Sequence, residues 1–298
     1  TYKNIEIIVV NDGSTDNTNQ VLEKYSDRIK IITKENGGTA NAENYGLKAS
    51  SGKWILFLGD DDLLYVDAIE NLIAPTLPSI KSSETTNLIS IIDPDNTIIY
   101  SKYEMVDRYG NSLPYPTPNQ NYNNLSNFEK NVILLDDNFI SPIAALLPRS
   151  ALDRCGLLDE EIKTLEDYEY FLRCCLLCNY EIYFVPKLTS KYRIHGSQVT
   201  ANRELLARTA SEIRNKILAQ LEPCMREQYL DALGKYKKKS QSSIYSPIIR
   251  LRRKIRDIIL AILPIKIQKK LIQQYLHLRK IEYTHGYYTK KGIDENNN

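Results

Sequence analysis

The sequence is short of the residues that mark several large classes of protein. Glycine and proline number only 12 each among 298 residues, which excludes a collagen-like chain. The five cysteines do not form the framework of paired spacings that a disulfide scaffold requires, so that class is excluded. Their odd number fits a reduced compartment. The longest strictly apolar run, residues 258–263, is far shorter than the roughly 20 residues that a membrane span requires. What remains is a globular protein whose length allows one large α/β domain and an appendage.

Two of the cysteines, Cys175 and Cys178, form a C-x-x-C pair within an apolar helical stretch at residues 168–178. Metal binding or redox chemistry is one interpretation of this spacing. Packing is the favoured interpretation, because an unpaired cysteine in an apolar helix behaves as a small hydrophobic side chain.

Charge is distributed unevenly along the chain, although the total is close to neutral. The 39 Lys and Arg residues nearly match the 37 Asp and Glu residues, for a formal net charge of +2. Residues 235–280 alone carry fourteen basic side chains and one acidic one, a local balance of +13 that leaves −11 for the rest. An acidic body is therefore joined to a basic tail.

The tail has the pattern of basic amphipathic helices. Apolar residues recur at helical spacing in 248–262 and in 267–278, and most basic residues occupy other faces. Such helices bind anionic membrane surfaces, so the tail is predicted to attach the protein to a membrane. The alternative is a helical pair that packs on its own domain or on a second subunit. No nucleic-acid recognition motif accompanies the charge, so nucleic acid is not expected as a partner.

Short β-branched runs alternate with helical patterns at the start of the chain. Strands are predicted at 5–10, 29–33 and 53–58, and helices at 39–49 and from the turn after residue 13 to about residue 25. The first strand is expected to be buried on both faces, as in a doubly wound α/β layer. Ligands bind at the carboxyl ends of the strands in such sheets, where Asp12 and residues 60–62 fall.

Later residues are predicted to add shorter strands and then helices. Residues 113–127, rich in Pro, Asn and Tyr, are predicted to form a binding loop or lid, and the chain beyond residue 202 is predicted to be mostly helical. The other predicted elements are strands at 89–92, 97–100, 103–106, 181–186 and 189–193, an extended apolar segment at 141–147, and helices at 151–157 and 166–177.

Three consecutive carboxylates, Asp60, Asp61 and Asp62, stand at the end of the third predicted strand. Their mutual repulsion is destabilising unless a cation neutralises it, and hard divalent cations prefer carboxylate oxygens. A solvated acidic turn is the alternative. The metal interpretation is favoured because acidic residues also stand at the end of another strand, at Asp12, and at 166–167.

A series of short motifs follows in order along about two thirds of the chain. They are V-N-D-G-S-T-D (10–16), N-G-G (36–38) leading to N-Y-G-L (44–47), G-K-W-I-L-F-L-G-D-D-D (52–62), G-L-L-D-E (156–160), L-E-D-Y-E (165–169) and Y-R-I-H (192–195). In this order and spacing they resemble the motifs of the inverting family 2 glycosyltransferases. The resemblance implies the GT-A fold, an α/β architecture with a mixed, mainly parallel sheet flanked by helices. It assigns residues 1–202 to that domain and residues 203–298 to a C-terminal helical, basic, amphipathic extension.

The resemblance also implies a role for each matching polar residue. Asp12 would accept a hydrogen bond from the N–H of a uracil base, and Asp61 would be the main carboxylate for Mg²⁺ or Mn²⁺ on the donor diphosphate. Asp167 would be the general base that removes a proton from the acceptor hydroxyl. Glu166 beside it would raise the pKa of Asp167 through like-charge repulsion. The complete set implied is Asp12, Gly13, Asn44 and Asp60 for the nucleotide, Asp61, Asp62 and His195 for the metal, and Asp167 and Glu166 for catalysis.

The chain departs from the family pattern at three points. Gly59 replaces the first carboxylate of the usual D-x-D-D, which leaves open the register in which residues 60–62 would bind metal. Glu43 stands where an arginine is common. The family normally has a strand and a helix before residue 1, without which the first strand would have an unpaired edge. The domain is therefore expected to be N-terminally incomplete and the sequence to be a fragment of a longer protein.

The function implied is transfer of a sugar, with inversion, from a nucleotide-diphosphate sugar, specifically a UDP-sugar. The acceptor would be a hydroxyl of a lipid-linked or growing glycan in bacterial surface polysaccharide synthesis. The basic tail would hold this cytoplasmic enzyme at the inner face of the plasma membrane. One alternative is a sugar-nucleotide-binding module or truncated fragment without catalysis. Another is a Mg²⁺-dependent phosphoryl-transfer enzyme, which is disfavoured because the strand ends offer no convincing lysine partner.

Overall fold

Two β-sheets and eight α-helices organise the described part of the chain, residues 1–77, 92–113, 121–195 and 202–244 of a computed structural model. Short 3₁₀ turns lie at Ala74–Thr76 and Pro142–Ala144, and a π-helix at Arg173–Leu177 continues α6. The elements in chain order are β1 (Ile8–Asp12), α1 (Thr18–Glu23), β2 (Lys30–Lys34), α2 (Thr39–Ala49), β3 (Trp54–Ile55), β4 (Leu63–Leu64), α3 (Ala68–Ile73), β5 (Thr97–Val106), α4 (Asn127–Asp136), β6 (Ala145–Pro148), α5 (Ser150–Cys155), α6 (Glu166–Leu172), β7 (Glu181–Arg193), α7 (Arg203–Ala219) and α8 (Pro223–Ile244).

The smaller sheet consists of β1 and β2, paired in parallel with Asp12 opposite Lys34. α1 connects the two strands, so the predicted strand-helix-strand order is confirmed, and α2 packs against β1. The prediction that the first strand is buried on both faces is wrong. Ile5 and Ile7 precede the strand and are 45% and 52% exposed. Among the described strands, β1 pairs only with β2. So narrow a sheet leaves both faces of the first strand partly exposed. The expected further strand before residue 1 stays a prediction.

The larger sheet has the strand order β3-β6-β5-β7-β4. β5 and β7 pair in parallel along their whole length, and the other neighbours pair antiparallel. A mixed sheet flanked by helices is therefore confirmed, and its longest pairing is parallel. The third predicted strand is shorter than expected, because only Trp54–Ile55 pairs, and it pairs with β6 rather than with the first strand.

β5 and β7 each replace two predicted strands. Their pairing shifts register on both sides of Lys102, where it skips Pro186 and Lys187 and then Thr189 on β7. Proline has no N–H for the ladder and is tolerated in a sheet at such a bulge, so the proline bends the strand without ending it. The predicted strand at 89–92 lies outside the described residues except for residue 92, and so do residues 114–120 of the predicted loop at 113–127.

The main core lies between the large sheet and the helices that follow it. The ring of Tyr100 on β5 lies 5.1 Å from Phe184 and 5.4 Å from Phe139. Tyr168 on α6 is 1% exposed and donates its hydroxyl to two backbone carbonyls at the end of α4. Cys175 is buried in the same core and Cys178 packs at its edge, in agreement with the packing interpretation of the C-x-x-C pair.

The helices beyond residue 202 are confirmed for the described part of the chain, as α7 and α8. Tyr229 of α8 stacks on Phe128 of α4, with the ring centres 4.6 Å apart. None of the described helices is both long enough and apolar enough to cross a membrane. The amphipathic segments at 248–262 and 267–278 lie outside the described residues, so the membrane attachment of the tail stays a prediction.

Asn44 connects α2 to the G-L-L-D-E segment across a large separation in sequence. Its side chain is 1% exposed; the amide donates to the carbonyl of Leu158 at 2.9 Å and to Glu160 at 2.8 Å. The oxygen accepts from the N–H of Leu158 at 2.9 Å. Asn41, one turn earlier, donates to the other carboxylate oxygen of Glu160. Burial and three internal hydrogen bonds give the side chain of Asn44 a structural role, and its predicted role in nucleotide binding stays a prediction.

We expect Asn44→Ala to lower the free energy of unfolding by roughly 2–4 kcal/mol, because the buried N–H and C=O of Leu158 would lose their partner. Asn41→Ala is the matched control, since Asn41 also bonds Glu160 from α2 but in a solvent-exposed contact. That change should cost about 0.5 kcal/mol or less. Denaturant unfolding followed by circular dichroism measures both values, and equal losses would contradict the assignment.

Candidate active site

The carboxylate of Asp12, at the end of β1, holds the N-G-G turn in place. One oxygen accepts from the backbone N–H of Gly37 at 2.9 Å and from Lys34 at 2.5 Å, and the other accepts from Gly38 at 2.8 Å. Desolvation raises the pKa of Asp12, but Lys34 and the two amides outweigh it, so the net pKa is lowered and the group is ionised. The predicted contact between Asp12 and a uracil base stays a prediction, and three internal donors already occupy the carboxylate.

Gly13 follows directly and has a backbone that other residues rarely adopt, with φ at +79°. A Cβ at this position would lie 2.8 Å from the backbone nitrogen of Asn36. Asn36 in turn donates its side-chain amide to the carbonyl of Asp12. The close approach of the two turns therefore requires glycine here.

The acidic loop at 59–62 lies against the end of β7. The side chain of Asp61 meets Nε2 of His195 at 2.9 Å. Asp62 accepts from the backbone N–H of Arg193 at 2.8 Å, and the Arg193 guanidinium donates to the backbone carbonyl of Asp61 at 2.6 Å. Asp62 is 9% exposed, and burial raises its pKa to about 6. Asp60 is exposed. Of the three predicted metal ligands, the structure therefore brings Asp61 and His195 together, while Asp62 makes a separate contact with β7.

The Asp61 and His195 pair fits part of a cation site. A carboxylate oxygen and an imidazole nitrogen at this separation can bind one ion, and Mg²⁺ or Mn²⁺ on a diphosphate takes its other ligands from phosphate and water. Within the described residues, no group of three or more His, Cys, Asp or Glu side chains is arranged to hold a metal by itself. Asp62 is turned toward the backbone of β7, which separates it from the pair.

The acidic pair Glu166 and Asp167 begins α6, directly after Leu165, whose φ is +64°. Asp167 accepts a hydrogen bond from the side-chain amide of Asn138 at 3.2 Å. Burial raises the pKa of Asp167, against hydrogen bonds from the Tyr168 backbone and Asn138 that favour the charged form. Burial, followed by the charge of Asp167, raises the pKa of Glu166 to about 6. The expected repulsion contributes to the raised pKa of Glu166, whereas burial is the cause of the raised pKa of Asp167.

Two residues near this pair were given no role by the sequence analysis. Asn138 follows α4 in a segment without a motif, so no pattern pointed to it. Glu43 projects from α2, and burial together with the charges of Glu166 and Asp167 raises its pKa to about 8. The sequence contained a signal for Glu43, because an acidic residue stands where the family commonly has an arginine. The groups that act on Glu43 in space were known only from the fold.

The mixed sheet and the carboxylates that follow its strands define an α/β protein of the GT-A type. The model of glycosyl transferase family 2 matches residues 1–155. The chain belongs to this family of glycosyltransferases, which confirms the resemblance and the fold inferred from the motifs.

Individual relatives agree with this assignment. An uncharacterized glycosyltransferase of Rickettsia typhi is 34% identical over 200 residues, which cover 67% of this chain and 58% of the relative. Glycosyltransferase GlyA of Streptococcus pneumoniae is 45% identical over 75 residues, 24% of this chain and 11% of the relative. The chain thus spans less than two thirds of the length of these relatives. The crystal structure of S. aureus TarS 1–349 in complex with UDP-GlcNAc has a TM-score of 0.54 at 19% identity, covering 76% of this chain and 62% of that chain.

The raised pKa of Glu166 predicts a stability change that depends on pH. The protonated form favours the fold, so its contribution is complete below the ordinary pKa of 4.5 and is lost as pH rises through about 6. Glu166→Gln stays neutral and should therefore stabilise the protein by about 1–2 kcal/mol more at pH 7.5 than at pH 4.5.

Glu161→Gln is the matched control, because Glu161 is exposed nearby and outside the acidic pair. Denaturant unfolding of both variants at the two pH values measures the difference. A Glu166→Gln gain that is the same at pH 4.5 and 7.5 would show that the pKa is not raised.

Proposed function

We propose that this protein transfers a sugar from a UDP-sugar to a hydroxyl group, with inversion at the anomeric carbon. The observation that carries the proposal is the carboxylate of Asp167, half-buried at the start of α6 and oriented by Asn138. A half-buried carboxylate with a raised pKa and a side-chain amide donor suits a general base. Membership of a glycosyltransferase family supports the reaction class.

In the proposed reaction Asp167 takes the proton of the acceptor hydroxyl as its oxygen attacks the anomeric carbon. The bond between that carbon and the diphosphate oxygen breaks, and the nucleoside diphosphate leaves with the electron pair. Attack on the face opposite the leaving group inverts the configuration. Glu166, largely ionised near neutral pH, adds negative charge beside the base and helps it accept the proton.

We assign Asp61 and His195 to a divalent cation on the donor diphosphate, with Mg²⁺ or Mn²⁺ as the ion. Such a cation would neutralise the charge that develops on the leaving group. Asp62 is proposed to position the loop through its hydrogen bond with the backbone of β7. Asp12, Gly13 and Asp60 are proposed to line the nucleotide site, which agrees with the UDP-GlcNAc bound to the S. aureus TarS structure of the same fold.

The acceptor is proposed to be a lipid-linked or growing glycan, with the basic tail holding the enzyme at the inner face of the plasma membrane. The fourteen basic residues at 235–280 support this, because each one near an anionic surface adds to membrane attraction.

Asp167→Asn should lower transfer by about 10²–10⁴-fold, because the amide cannot take the acceptor proton. UDP binding should be unchanged, since the substitution is isosteric. Release of UDP from a panel of UDP-sugars, with a bacterial membrane lipid extract as acceptor source, measures transfer, and calorimetry measures binding. Asp231→Asn, on the exposed face of α8, is the control and should retain full activity. If Asp167→Asn transfers sugar as fast as an active parent does, a different residue is the base. If the parent itself transfers no sugar, the protein is a binding module.

Mn²⁺ should strengthen UDP binding, and the effect should fall by about tenfold or more in Asp61→Asn and in His195→Ala. Calorimetric titration of UDP with Mn²⁺ and with a chelator measures this. Equal affinity with and without the ion would remove the metal from the proposal. Failure to bind UDP, GDP and dTDP under either condition would reject a sugar-nucleotide donor.

A further inference from the structure

Arg193 ends β7 and directs its guanidinium at the backbone of two separate loops. Nε donates to the carbonyl of Asp61 in the acidic loop at 2.6 Å. Nη1 donates to the carbonyl of Arg108 at 2.8 Å and lies 3.5 Å from the carbonyl of Asp107. Because the donors of a guanidinium lie in one rigid plane, this single side chain fixes the acidic loop relative to the turn at 107–112 that follows β5.

The backbone of Arg193 holds the acidic loop a second time. Its N–H donates to the carboxylate of Asp62 at 2.8 Å. Within the loop, the N–H of Asp62 donates to the carbonyl of Gly59 at 3.2 Å, which closes a turn. Asp61 is therefore held through its own carbonyl on one side and through the side chain of the next residue on the other.

The turn at 107–112 is anchored independently of Arg193. The carboxylate of Asp107 accepts from two backbone N–H groups within the turn, each at 2.9 Å. Ser112 donates its hydroxyl to Glu104 of β5, also at 2.9 Å. The turn therefore gives the guanidinium a fixed support against which the acidic loop is held.

The contact between Asp61 and His195 needs such support. A carboxylate oxygen and Nε2 lie 2.9 Å apart, but the two side chains are 33% and 29% exposed. A solvent-exposed pair of this kind contributes little to stability, so it does not by itself hold two side chains in one geometry. The backbone sets that geometry, because His195 follows Arg193 by two residues and the guanidinium of Arg193 holds the carbonyl of Asp61.

We propose that Arg193 is a positioning residue for the cation site: its hydrogen bonds set the separation between the carboxylate of Asp61 and Nε2 of His195. The part of this inference that concerns the cation rests on the proposed function. A lysine at this position would keep the positive charge but carry its donors on one nitrogen, so it could not hold both loops in the same plane. Arg193→Lys therefore separates the geometry of the bridge from its charge.

The first test needs neither metal nor activity. The nuclear magnetic resonance signals of isotope-labelled histidine rings, recorded at one fixed pH, report the surroundings of His195, and His195→Ala identifies its signal. Asp61→Asn should shift this signal, and Arg193→Lys should shift it in the same direction, because both changes weaken the same contact. In an Asp61→Asn background, Arg193→Lys should add no further shift, since the contact on which it acts is already lost.

Arg149→Lys is the matched control for this test. Arg149 also donates Nε to a backbone carbonyl, that of Gly52 at 2.7 Å, but this contact lies outside the acidic loop. The control should leave the His195 signal in place. A parent-like signal in Arg193→Lys would overturn the inference. An equal shift with and without the Asp61 carboxylate would also overturn it, since the shift would then be a direct effect of the neighbouring side chain.

The second test measures Mn²⁺ binding at saturating UDP by electron paramagnetic resonance. Arg193→Lys should raise the Kd for Mn²⁺ about tenfold, as is typical when a residue that orients a metal ligand is lost. Its affinity for UDP in the presence of a chelator should match the parent, whereas general damage to the fold would lower both affinities. Arg149→Lys should match the parent in both measurements.

The outcomes separate this inference from the proposed function. Parent-like Mn²⁺ affinity in Arg193→Lys would overturn the positioning role. If the parent binds no Mn²⁺ while the His195 signal still depends on Arg193, the cation is removed from the proposed function, and the positioning of Asp61 against His195 is supported.

Discussion

Carboxyl groups that lie close together must each be balanced by a donor, a cation or a proton, and this requirement connects the elements of the site. Asp12 is held by Lys34 and two backbone amides, which join β1 to the N-G-G turn. Asp62 takes a backbone N–H from the end of β7, which joins the acidic loop to the large sheet. Asp167 takes the amide of Asn138, which joins α6 to the segment after α4. The groups proposed to act on substrate therefore also hold these elements together.

The G-L-L-D-E segment connects helices from two parts of the chain, α2 and α7. Asn44 binds its backbone from one side, and Asp159 pairs with Lys216 of α7 on the other. These contacts connect the half of the chain that carries the proposed nucleotide site to the half that carries Asp167. A motif to which the sequence analysis gave no role thus has a structural role in the fold.

Local features of the sequence predicted local structure well. The N-G-G turn and the apolar stripe after it predicted α2 with its observed bounds, because helix periodicity is set by near neighbours. The same reasoning divided β5 and β7 into two strands each, because turn residues such as Pro186 ordinarily end a strand. Pairing with a parallel partner kept both strands continuous through a bulge, and sequence patterns do not reveal a partner.

The sequence by itself determined the family, the order of the motifs, and the residue types at the proposed base and metal site. These follow from short segments whose residue types and spacing can be seen without a fold. Only the tertiary structure decided that Asn44 is buried with internal hydrogen-bond partners and that Asp61 meets His195. The physical reason is that burial, hydrogen-bond partners and electrostatic repulsion depend on distances between residues remote in sequence, and folding alone sets those distances.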